Sequence, residues 1–102
     1  IDESTGILSF MTIKKNVVKI AKKYDIERIY LFGSYVKGQA TEDSDVDLYM
    51  ESELYVLDYF EFVEELRESL KKKVEVLSNK TIEEHSKIEE EVNKTGVLIY
   101  ER

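Results

Sequence analysis

The feature that most constrains the fold is a repeated change in the spacing of apolar residues. From Ile13 to Tyr24 they recur at helical spacing, whereas the next stretch, Ile29 to Phe32, is a short continuous apolar run. A period near 3.6 residues indicates a helix with one buried face, and short apolar or alternating runs indicate strands. Because such changes continue along the chain, the pattern predicts alternating helices and strands around a single core.

The predicted elements follow the order α-β-α-β-α-β-α-β. Helices are expected at residues 13–24, 34–37, about 56–72, and from 81 to near 96. Strands are expected at 29–32, 45–50, 74–77 and 97–100. The simplest packing for this order is an α/β (α+β) fold, with a small mixed β-sheet and helices covering one face of it.

Local signals predict how the helices begin and which faces they bury. Thr12 is the expected N-cap of the first helix, and Thr81 opens the capping-box sequence Thr81-Ile82-Glu83-Glu84 of the last one. His85 is then expected to be an exposed histidine on that last helix. The long third helix is expected to bury one apolar face, formed by Leu57, Phe60, Val63, Leu66 and Leu70.

Length and composition predict one domain and exclude several classes of site. With 102 residues, we expect a single domain at 11–102, preceded by an N-terminal extension or cloning remnant at 1–10. The absence of cysteine rules out disulfides and cysteine-ligated zinc, and it fits a reducing cytoplasm. There is no apolar run long enough to span a bilayer, so no membrane association is expected. A net charge of −7 disfavours extended nucleic-acid binding.

The candidate functional residues lie in one window, residues 32–49. Gly33-Ser34 is followed by ten residues and then by Asp45-Val46-Asp47. Side chains two apart on a strand share one face, so the two carboxylates would lie side by side, which is unfavourable without a cation. Oxygen ligands favour magnesium or manganese. A solvated acidic turn is the alternative for such an Asp-x-Asp taken by itself.

Two other phosphate or metal motifs fail in this window. An EF-hand loop opening at Asp43 would need Gly and Glu where the chain has Leu48 and Leu54. A P-loop built on Gly33 and Gly38 would need Lys and Ser or Thr where Gln39 and Ala40 follow.

With its spacing, the window resembles the signature of the nucleotidyltransferase superfamily related to DNA polymerase β. The short length is similar to that of its minimal nucleotidyltransferase branch. The resemblance implies a third carboxylate on a later strand, for which Glu75 is the candidate. It also implies that Gly33 and Ser34 hold the nucleotide phosphates, with Lys37 as an additional phosphate contact. The family more often has Asp at the position of Glu75 and Arg at the position of Tyr35.

The resemblance also implies a function. Asp45, Asp47 and Glu75 would be the catalytic residues and would hold two Mg²⁺ ions, with Mn²⁺ possible. The reaction would transfer AMP from ATP to a hydroxyl, on a tyrosine of a partner HEPN-type toxin, so that the chain acts as the antitoxin. The alternatives are a nucleotidyltransferase for small molecules, of the aminoglycoside type, and a catalytically weak binding module with the same fold.

Overall fold

The computed structural model describes residues 6–82 and 86–102. Within these ranges the elements follow the predicted order. They are α1 (Phe10–Ala21), β1 (Ile26–Phe32), α2 (Ser34–Lys37), β2 (Val46–Ser52), α3 (Val56–Leu70), β3 (Val74–Ser78), α4 (Lys87–Thr95) and β4 (Val97–Glu101). None of the helices in these ranges is long and apolar enough to cross a membrane.

The four strands of the described chain form one mixed sheet, as predicted. Their order is β3-β2-β1-β4; β1 runs antiparallel to both β2 and β4, whereas β2 and β3 are parallel. In this register Asp47 lies opposite Phe32 on one side and opposite Glu75 on the other. The two strands that carry the predicted carboxylates are therefore direct neighbours.

The main core lies between one face of the sheet and the helices α1 and α3. The alternation along β2 is confirmed, since Val46, Leu48 and Met50 are buried in this core. Phe62 of α3 is fully buried and its ring meets Tyr24 edge to face. The apolar face predicted for the first helix, which includes Ile13, also lies here.

A second, smaller core lies on the opposite face of the sheet, so the expectation that helices cover one face only is wrong. Val92 of α4 packs there with Phe32 and Tyr49. Tyr30 and Leu77 join this cluster from neighbouring strands. These side chains give the second face enough apolar surface to hold a short helix. Because Asp47 shares its face with these strand residues, α4 lies on the side of the sheet that carries the candidate site.

Helix α1 begins at a different residue from the one predicted. Its N-cap is Ser9, not Thr12: the Ser9 hydroxyl accepts a hydrogen bond from the Thr12 backbone N–H at 3.1 Å. Phe10 and Met11 are therefore already helical. Leu8 is 9% exposed and belongs to the main core. Leu8, placed by the sequence pattern in the extension, thus packs with the rest of the chain.

Helix α3 buries the predicted face only in its second half, where Val63, Leu66 and Leu70 are buried as expected. Leu57 and Phe60 are 82% and 59% exposed, whereas Phe62 is buried with Val63 and Leu66. The first turns of α3 carry more apolar residues than one face can hold, and the strand surface beneath the helix determines which of them are buried.

The last helix begins later than its sequence signals suggest. Its N-cap is Ser86, whose hydroxyl accepts from the Glu89 N–H, and Gly96 is the C-cap near the predicted end. Thr81 lies in a turn, where its hydroxyl oxygen accepts from the Ser78 N–H. Thr81 is therefore not the N-cap. Glu83 and Glu84 of the predicted capping box and His85 lie outside the described residues.

Candidate active site

The turn after β1 places its backbone directly against the second aspartate. Gly33 has a φ of +78°, and a Cβ atom built on it would lie 2.3 Å from Oδ2 of Asp47. A side chain at this position would meet a backbone conformation that disfavours it, and it would displace the carboxylate of Asp47. Glycine is thus needed for the two halves of the predicted motif to come together.

Three predicted carboxylates lie close enough to influence one another. Asp47 and Glu75 are register partners on parallel strands, and Asp45 precedes β2 by one residue. The pKa of Asp47 is raised to about 6, first by burial and then by the negative charges of Glu75, Asp45 and Glu91, in that order. The cluster therefore carries more negative charge than the protein itself neutralises there, which favours a cation.

The donor set fits an ion that a nucleotide would help to hold. Within residues 6–82 and 86–102, no three acidic, histidine or cysteine side chains are arranged to bind one metal ion by themselves. Mg²⁺ is usually bound by one or two carboxylates together with water and substrate phosphates. Asp45 and Asp47 offer such a pair of oxygen ligands, and the arrangement is consistent with a magnesium site completed by phosphate oxygens.

Lys37 contacts an acidic residue that the sequence pattern did not single out. Its Nζ lies 3.2 Å from Oε2 of Glu91 on α4, and both side chains are partly exposed. The negative charge of the same Glu91 also raises the pKa of Asp47. In the sequence Glu91 is one of three consecutive glutamates in a helix, without a local motif to mark it. Only the packing of α4 across the second face of the sheet brings it to the site.

Tyr35, where the family more often has Arg, has a structural contact. It packs against the main core, and its hydroxyl accepts a hydrogen bond from the Leu8 N–H at 3.5 Å. It helps to join the segment before α1 to the short helix α2. Ser34 is the first residue of α2, and its carbonyl accepts from the Gln39 N–H.

A cleft of about 330 Å³ borders two of the predicted carboxylates, Asp45 and Glu75. Two cationic residues also line it, Arg67 at the end of α3 and Lys73 just before β3. Arg67 Nη2 donates to the Val74 carbonyl at 3.3 Å, which holds this side chain beside the edge strand. Sequence reasoning missed both cations, because their approach to Asp45 depends on the parallel pairing of β2 with β3.

A family model described as polymerase beta, nucleotidyltransferase matches residues 15–102. The chain belongs to this family. A Methanocaldococcus jannaschii protein, provisionally named a protein adenylyltransferase, is 34% identical over 74 residues; the match covers 69% of this chain and 74% of that protein. The resemblance, the fold class and the nucleotidyltransferase class predicted from sequence are thereby confirmed.

Two solved structures of toxin–antitoxin complexes share the fold of this nucleotidyltransferase. One, a toxin–antitoxin with AMP-PNP, superposes with a TM-score of 0.73 at 21% identity, covering 87% of this chain and 73% of that one. The other is a tri-AMPylated Shewanella oneidensis HEPN toxin in complex with an MNT antitoxin. It gives a TM-score of 0.67 at 18% identity, covering 90% of this chain and 72% of that one.

Proposed function

We propose that this nucleotidyltransferase transfers AMP from ATP to a tyrosine hydroxyl of a HEPN-type toxin and so acts as its antitoxin. The observation that carries the proposal is the closeness of the Gly33 turn to Asp47, because the part of the motif predicted to bind phosphate and the part predicted to bind metal lie together. The toxin–antitoxin complexes that share the fold support the choice of acceptor, as does the adenylyltransferase name of the archaeal relative.

The residues of the site would divide the work as follows. Gly33 lets the phosphates approach the backbone closely, and Ser34 offers a hydroxyl and an N–H to the β- and γ-phosphates. Asp45 and Asp47, with Glu75, would hold two Mg²⁺ ions, and Mn²⁺ could replace them. When bound, such ions stabilise the attacking and leaving oxygens of an in-line displacement.

The acceptor must lose a proton as its oxygen bonds to the α-phosphorus. Glu75, exposed beside the cleft, would favour this deprotonation. The bond between the α-phosphorus and the oxygen bridging to the β-phosphate breaks, and pyrophosphate leaves. Arg67 and Lys73 line the same cleft and can offset the charge of the phosphates.

The test is transfer of label from ATP to a HEPN-type protein co-purified with this chain. With ATP labelled at the α-phosphate and with magnesium, the partner should become labelled, and mass spectrometry should place AMP on a tyrosine. Asp45→Asn combined with Asp47→Asn should lower the rate on the order of a hundredfold or more, because the charge that holds the metal is removed. EDTA should have the same effect, reversed by excess Mg²⁺ or Mn²⁺.

Asp43→Asn is the matched control, since Asp43 is an exposed carboxylate in the loop just before the site. It should label the partner at the wild-type rate. Undiminished labelling by the double variant would show that the carboxylate assignment is wrong. Label transferred from the γ-phosphate would show a kinase reaction instead.

A catalytically weak binding module with the same fold is the second candidate. It is favoured by the ion pair of Lys37 with Glu91, because this pair engages the lysine that was proposed to contact phosphate. Tight binding of the partner without any transfer of label would support this second function.

A further inference from the structure

The beginning of α3 exposes large apolar side chains that take no part in either core. Tyr55, Val56, Leu57 and Phe60 are 81%, 69%, 82% and 59% exposed. Single exposed apolar residues are ordinary, but a contiguous group of this kind usually marks an interaction site. We refer to these four residues as the α3 patch.

The α3 patch is continuous with the candidate active site. Beside it lies a mainly apolar groove of about 440 Å³, whose walls include Tyr55, Val56, Tyr59 and Phe60. Tyr59 and Phe60 also line the cleft that contains Asp45 and Glu75. A protein seated on the patch would therefore lie beside the carboxylates.

The residues of α3 that border the patch are acidic. Asp58 is exposed on the same turn, and Glu61 and Glu64, also exposed, follow Leu57 and Phe60 by four residues each. Glu64 is paired with Arg67 at 3.2 Å, so Asp58 and Glu61 supply the negative charge of this border. Residues four apart on a helix are neighbours, so the carboxylates border the apolar side chains. On the other side of the groove, Lys80 is paired with Glu53 at 3.0 Å.

This charge pattern selects the kind of partner. In a two-fold dimer of this chain through the patch, the acidic border would face itself, and like charges disfavour that contact. A different protein with an apolar surface bordered by basic side chains would be complementary in both respects.

We propose that the α3 patch is the docking surface for the protein acceptor, which presents apolar side chains bordered by basic ones. The proposal rests on the proposed function, because the acceptor there is a protein and not a small molecule. Docking at the patch positions an acceptor side chain at the cleft, so the patch selects the substrate while the carboxylates perform the transfer.

The experiment measures binding of the HEPN-type protein to the chain by calorimetry. Leu57→Ser combined with Phe60→Ser should weaken binding about tenfold or more, since large apolar side chains at the centre of an interface dominate affinity. Glu61→Lys should weaken it too, with a larger effect at low salt, because it reverses one charge of the border.

Met11→Ser provides the matched control, since Met11 is 64% exposed on α1 and lies outside the patch. It should bind like wild type. Thermal unfolding of each variant checks the fold, which these exposed substitutions should leave intact. Wild-type affinity in the Leu57/Phe60 double variant would overturn the proposal. So would a dimer of the chain alone that this variant dissociates, because the patch would then bind a second copy.

The two proposals fail in different ways. If the double variant loses binding while wild type binds without transferring AMP, the docking surface stands and the proposed transferase activity fails. If wild type transfers AMP and the double variant does so at the same rate and affinity, the activity stands and the docking surface fails.

Discussion

At the scale of single residues, the ionised form of Asp47, which the proposed metal site requires, is unfavourable in the metal-free protein. Burial is the main reason that its pKa rises from 3.8 to about 6, followed by the charges of Glu75 and Asp45. The folded chain therefore holds this proton more tightly than the unfolded chain does. The stabilisation that results is complete below the unfolded pKa and is lost as the pH rises through about 6. Above that pH the ionised carboxylate destabilises the metal-free protein.

We expect Asp47→Asn to stabilise the metal-free protein at pH 8, because it removes the charge but keeps the shape. The gain should be about 1 kcal/mol, discounted for the partial exposure of the group, which corresponds to a few degrees in Tm. Urea unfolding with EDTA at pH 8 and pH 4 measures it. Asp43→Asn is the control and should show no gain. An equal gain at both pH values would contradict the electrostatic cause.

At the scale of elements, the capping of α1 gives a second test. Ser9→Ala should lower the free energy of unfolding by about 1 kcal/mol, because the Thr12 N–H loses its acceptor. Ser9→Asp should retain most of the stability, since Asp is an equally good cap. Chemical unfolding of the three proteins makes the comparison. If Ser9→Ala had no effect and Thr12→Ala were costly, Thr12 would be the cap after all.

Which parts of an element the sequence reveals depends on how much of the information is local. The faces of β2 could be predicted because residues two apart must share a side, so Val46 and Asp47 must face oppositely. The buried face of α3 could be predicted at Val63, Leu66 and Leu70 but not in its first turns, since Leu57, Phe60 and Phe62 are all apolar and only the sheet decides among them. Likewise, Ser9 and Thr12 are both residue types that cap helices well, and the sequence alone does not show at which of them the helix begins.

Some residues of the candidate site likewise have a local sequence signal, and others do not. Gly33, Ser34, Asp45 and Asp47 lie within fifteen residues and have a fixed spacing, which is why the motif was visible in the sequence. Arg67, Lys73 and Glu91 come to the cleft or the carboxylates from elements later in the chain. Their positions depend on the parallel pairing of β3 and on the side of the sheet that α4 covers. Neither of these has a local sequence signal.

At the scale of the whole molecule, stability is divided unevenly between the two faces of the sheet. The main core joins α1 and α3 to the central strands, whereas α4 is held by a small cluster and has Val92 as its buried residue. A helix of nine residues is not stable without packing. Since α4 also carries Glu91, a local opening of this helix would separate the Glu91 carboxylate from Lys37 and from Asp47.

We therefore expect native-state hydrogen exchange to show α4 opening before the sheet. Backbone amides of α4 should exchange with a free energy at least about 2 kcal/mol below that of amides in β1 and β2. Val92→Ala should lower the protection of α4 further while changing that of the central strands less, because it removes the main contact of this helix. Met11→Ser, on the opposite side of the molecule, should change neither. Equal protection of α4 and the central strands would mean that the helix unfolds only with the whole domain. Glu91 would then not separate from Asp47 by a local opening of α4.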